Sequence, residues 1–164
     1  MRFSESFSSL HSIAQKLAGL SHAELHQAKQ GKWSVLQHLY HCWMVEHGVL
    51  AYIKLKTQDP SALVRISVVT RLKFTFFFAT LRLGVLKVNA PNVVQKFPSE
   101  MSIADLLSKW QNTRKQADAF FLDFAEHNAK KGIFRHVFIG RLNKRLTQKF
   151  IRLHLRHHLR LCRL

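Results

Sequence analysis

The chain has 164 residues, with 26 Lys or Arg against 9 Asp or Glu for a formal charge of +17, while 47% of positions are hydrophobic and 11% aromatic. That balance is globular rather than disordered, the length fits a single domain over residues 1–164, and such a chain can bury about two thirds of its unfolded surface without metal or disulfide help. With 6 glycines, 3 prolines and 2 cysteines, the composition argues against a turn-rich all-β architecture and a disulfide scaffold, and an all-α class is expected.

The first helical pattern runs from about Ser4 to Leu17, with Phe7, Leu10, Ile13 or Ala14, and Leu17 at steps of three and four until Gly19 interrupts it. A shorter piece, His22 to Lys29, ends at Gln30-Gly31, where glycine suits a C-terminal cap. Ser34 and Gln37 stand in capping-box spacing and open a second long helix. Val35, Leu39, Cys42, Val45, Val49 and Ile53 carry it to about Thr57, where Asp59-Pro60 stops it. Residues 62–88 mix β-branched residues with Phe74, Phe76, Phe77 and Phe78 and are read as a basic, Phe-rich, irregular insertion containing one helix. After a loop over Asn89 to Ser99, Ser102 to Asp105 starts a third long helix through Leu106, Leu107, Trp110, Ala117 and Phe121 to about His127, ended by Lys130-Lys131-Gly132. A linker containing Phe134 to Gly140 leads to a fourth, from about Thr147 to Cys162. Four main helices with one insertion suggest a four-helix bundle.

The opening Met1-Arg2-Phe3-Ser4-Glu5-Ser6 lacks the continuous apolar core of a secretory signal. With the scarcity of cysteine, this makes a cytoplasmic location the expectation. No transmembrane segment is expected either, because Arg71, Lys73, Arg82 and Lys87 interrupt the most hydrophobic region and leave only Phe74 to Leu81 uncharged.

Eleven histidines are present, and they cluster: His38, His41 and His47 on the second helix, His154, His157 and His158 on the fourth. At about 100° per residue, Arg152, Arg156, Arg160 and Arg163 occupy one sector, and His154 and His158 point nearly opposite, beside Ile151 and Leu161. Residues i and i+4 stand one turn apart on one face, so both imidazoles can reach one divalent ion at about 2.0–2.1 Å. A core-facing histidine is more commonly a hydrogen-bonded packing residue than a ligand, and a third histidine from a neighbouring helix is what favours a metal. His38 and His41 both qualify by direction, His47 less so. Leu155 stands where a His-Glu-x-x-His metalloprotease needs its glutamate, which excludes that chemistry. Cys162 is two turns from His154, about 12 Å of rise, and Cys42 lies on the side of its helix away from His41, so neither thiol is needed as a ligand.

Two stretches carry a family resemblance. The run from Gly31 through Trp33-Ser34-Val35 to His41 and the closing stretch Phe134 to Leu142 followed by His154-Leu155-Arg156-His157-His158 resemble, in order and spacing, the DinB/YfiT-like metalloenzyme superfamily over about Trp33 to Leu161. The resemblance implies a four-helix bundle with up-down-down-up connectivity and a divalent metal, often nickel or zinc, held by one histidine of the second helix and two of the last. Those positions are His41, His154 and His158. Leu161 stands where the family often has glutamine or histidine three residues beyond the last ligand, and Val137 follows His136 where proline is common. Characterised relatives include S-transferases and isomerases that use low-molecular-weight thiols such as bacillithiol or mycothiol, and relatives are often dimers, so a thiol, an electrophilic small molecule and a second copy are the implied partners.

The chemistry agrees with that implication, since a three-histidine metal has room for a thiol, and coordination holds the sulfur deprotonated as a nucleophile. No Ser-His-Asp order, phosphate loop or paired carboxylates support another reaction. Glu46, the acid of the motif helix, is read as a solvated surface residue, and His157 as a surface residue or a support for the ligands. The rival reading is non-catalytic. The charge of +17 and the arginine stripe of the last helix would suit a nucleic-acid backbone, and the Phe-rich basic insertion an anionic membrane surface, with any metal site structural or vestigial.

Overall fold

In a computed structural model, residues 10–28, 33–83, 94, 96–98, 100, 102–124 and 128–164 are described. The chain is mostly helical, with α1 (Leu10–Ala18), α2 (His22–His26), α3 (Val35–Lys56), a 3-10 turn (Pro60–Ala62), α4 (Val68–Arg82), α5 (Ile103–Asp123), a hairpin of β1 (Phe134–His136) and β2 (Gly140–Leu142), and α6 (Lys144–Leu161). Helix α3 is central and packs against α2, α5, α6 and β1, while α1 rests on α5 and both α4 and α6 touch β2.

Local chemistry sets the helix starts. Ser34 accepts from the Gln37 N–H at 3.2 Å and the Gln37 side chain accepts from the Ser34 N–H at 2.8 Å, closing the expected capping box at the head of α3. A second box, Ser21 with Glu24, heads α2, and Ser67 caps α4. Leu39, Cys42, Val49 and Ile53 are buried along α3 as their spacing predicts, with Val35 and Val45 packed at the edge of the core. In α1, Ile13 and Leu17 are buried; the expected start at Ser4 and the glycine cap at Gly31 lie outside the described residues.

Four expected boundaries move. Helix α2 ends at His26 rather than Lys29, because Gln27 turns extended (φ −68°, ψ 118°) as its C-cap. Helix α5 ends at Asp123, where Phe124 turns extended (φ −68°, ψ 114°), so Gly132 does not end it. Gly132 instead donates to the Val64 carbonyl at 2.8 Å beside the Arg65–Lys131 bridge. A Cβ there would sit 2.8 Å from the Arg141 Cβ, so only glycine allows this approach. The expected linker is the β1–β2 hairpin, with Phe134 opposite Leu142 and His136 opposite Gly140. Gly140 takes the positive φ (93°) that closes its short turn. Helix α6 begins at Lys144 rather than Thr147, because Asn143 supplies the N-cap and accepts from the Leu146 N–H at 3.0 Å.

Candidate metal centre

His41 lies on the buried face of α3, in the second turn after the Ser34 cap, and His154 and His158 lie one turn apart on the α6 face that meets α3. Ile151 is buried beside them as expected, whereas Leu161 is exposed at the helix end. One nitrogen from each of His41, His154 and His158 can be chosen so that all three lie within 4.8 Å of one another. The Nε2 atoms of His41 and His154 are 3.2 Å apart, against about 3.3 Å for two nitrogens on one tetrahedral ion at the usual bond length. The donor set fits a divalent ion. Among the described residues no other three His, Cys, Asp or Glu side chains converge in this way.

The surroundings hold these rings neutral and oriented. The His41 Nδ1–H donates to the Val94 carbonyl at 2.9 Å, which fixes the tautomer and leaves Nε2 bare toward His154. His38 and His158 meet Nδ1 to Nδ1 at 2.9 Å, so one of the two nitrogens carries the shared proton. Trp33 roofs the group, with its ring 4.9 Å from His41, 5.3 Å from His38 and nearly parallel to His158 at 6.2 Å. Burial is the main reason that all these imidazoles lose their protons readily: His41 and His154 are lowered, the latter also by its neighbours His41, His157 and His136. His158 is lowered by burial and then by His154, His41 and His38. His38 falls to about 4 through burial and its neighbours His41 and His157. Neutral rings are the form that binds metal.

The other candidates separate cleanly. His47 is exposed on α3, and His157 stands edge-on to His158, 5.3 Å away. His136 is buried in β1 against Phe150, whose ring in turn lies 5.6 Å from His154. Cys42 and Cys162 are free thiols, and burial raises both, Cys162 to about 12 and Cys42 also through Glu46 and Cys162.

A family model for the DinB superfamily matches residues 8–162. The chain belongs to the DinB superfamily. Comparison with curated proteins and with solved structures returned no significant match. Within this DinB protein, Glu46 requires a correction. It is buried, accepts from Trp110 Nε1 at 2.7 Å and from Arg114 Nε at 3.1 Å on one oxygen, and pairs with the second Arg114 nitrogen at 3.1 Å on the other. The signal was available in α5, where Arg114 stands on the same stripe as Trp110 and Ala117, since a cation in a buried stripe requires an anion opposite it. The His38–His158 contact and the Val94 carbonyl had no such signal, because both depend on how distant segments meet.

Proposed function

We propose that this protein is a divalent-metal-dependent enzyme, with nickel or zinc held by His41, His154 and His158, that transfers a low-molecular-weight thiol to an electrophilic small molecule in the cytoplasm. The observation that carries the reading is the convergence of three neutral imidazoles from α3 and α6 on one point, His41 and His158 buried and His154 half-buried. In the same reading α1, α3, α5 and α6 make an up-down-down-up four-helix bundle within one domain of residues 1–164, and segment 62–88 is an insertion. Family membership and the three-histidine cluster support the metal-binding part of the reading.

When bound, the ion supplies a positive centre with open positions that keeps a thiol sulfur deprotonated. The chain's own residues do the rest. Val94 and His38 hold two ligand rings in the orientation that turns lone pairs inward. Trp33, with Phe97 packed edge-on against it at 5.3 Å, covers the histidines and limits water. Neither cysteine competes as a nucleophile, because both thiols are held protonated at neutral pH. The nucleophile is therefore external: its sulfur forms the new bond to carbon while the electrophile's leaving group departs with the electron pair.

Elemental analysis of untagged protein beside His41→Ala and His154→Ala tests the centre. Stoichiometric metal in the parent, lost in both variants, is the expected result, and full metal in either variant removes that residue from the ligand set. Consumption of a thiol and an activated halide by loaded protein, absent after chelation, tests the reaction.

A further inference from the structure

We propose that α4, together with the tip of the β1–β2 hairpin, is a docking surface for an anionic lipid bilayer, on which the protein rests without spanning it. The inference is independent of the metal centre. Helix α4 is apolar on two opposite faces. Phe74 is buried and, with Phe77 and Phe78, packs the inner face onto the body of the protein. On the other side Val68, Leu72, Phe76 and Leu83 are 66–75% exposed, and at about 100° per residue they fall within one sector of roughly 80°. A monomer in water has no use for such a stripe.

The charge around the stripe identifies what covers it. Arg71 and Arg82 flank it on one side and Lys73 on the other, all exposed. Residues 60–99 and 127–164 contain no Asp or Glu, so α4 and the hairpin beside it present cations around apolar side chains. The hairpin extends the surface: the Phe138 ring stacks on Phe77 at 5.8 Å, and Val137 and Phe138 are themselves exposed at its turn. An apolar stripe edged by Lys and Arg matches the boundary between acyl chains and anionic headgroups. A second copy fits poorly, because it would bring two acid-free cationic faces together. A nucleic-acid backbone would satisfy the cations but leave the stripe in water. No helix among the described residues is long and apolar enough to cross a membrane, which agrees with docking by one face.

The test is co-sedimentation of the full chain with vesicles of phosphatidylcholine alone and of equal parts phosphatidylcholine and phosphatidylserine. Binding to the mixed vesicles, weakened by salt and nearly absent on the neutral ones, is expected. Leu72→Ser with Phe76→Ser leaves the charge unaltered and should lower the partition by about tenfold or more. Arg71→Gln with Lys73→Gln should lower it and flatten its salt dependence. Because all four side chains are exposed, unchanged circular dichroism and melting temperature are the controls for folding. Equal binding to both vesicle types, full binding by the serine variant, or a stripe found buried between two copies by sedimentation velocity would each overturn the proposal.

Discussion

With His38 Nδ1 lying 2.9 Å from His158 Nδ1, an ion held by the other ring nitrogen of His158 would place the shared proton on His158 and make His38 its acceptor. Removing that acceptor should loosen the ring and lower its basicity. His38→Ala is expected to weaken divalent-ion affinity by about 10–100-fold in a competition titration against a chelator, with His47→Ala, an exposed histidine of the same helix, unchanged. Equal affinity in both variants would reduce His38 to packing. Glu46 makes a different prediction, because the Arg114–Trp110 cluster is buried and satisfied on both carboxylate oxygens. Glu46→Ala removes the carboxylate that pairs with a buried guanidinium and should cost about 3–5 kcal/mol in urea unfolding, whereas Glu46→Leu combined with Arg114→Met should cost much less than the two single changes together.

At the level of elements, the head of α3 carries the most consequence per residue. Ser34 is the cap, and Trp33, His38 and His41 lie within two turns of it. Ser34→Ala should therefore lower stability by about 0.5–2 kcal/mol, seen as an earlier thermal midpoint, and should weaken metal binding as the first turn frays. This start was legible because a capping box is a local signal, complete within four residues. The α6 face was legible as well, since the Arg stripe and His154 with His158 separate by angle alone. The β1–β2 hairpin was not: Phe134 to His136 is only three residues long, and it pairs because Gly132 brings the chain against Arg141 and Gly140 reverses it. Asn143 escaped notice for a related reason, as its side chain also donates to the Ala129 carbonyl at 3.0 Å, a partner that exists only once the hairpin has formed.

Across the whole molecule, a set of neutral histidines, buried or half-buried, ties stability to pH. Burial holds His136 and His38 near 4, whereas in the unfolded chain both titrate near about 6.5. Between those values the unfolded state binds more protons, so stability is full above about pH 6.5 and is lost as pH falls toward about 4. Melting temperatures measured across that window should fall with acidity, and a flat profile would contradict the burial of these rings. A bound ion should raise the midpoint, by about 2.7 kcal/mol of stabilisation at a hundredfold excess over its dissociation constant, and chelation should reverse the gain. Which of His38 and His41 faces the C-terminal pair could not be decided from direction alone, since α3 presents both toward α6, and the family resemblance named His41; the structure engages both, one in the cluster and one against His158. Trp33 gives this arrangement an optical signature. An indole so near the histidine cluster should lose its emission when a paramagnetic or open-shell ion such as nickel arrives and keep it with closed-shell zinc, so the protein's own glow, compared with that of Trp33→Phe, would report both occupancy and the kind of metal.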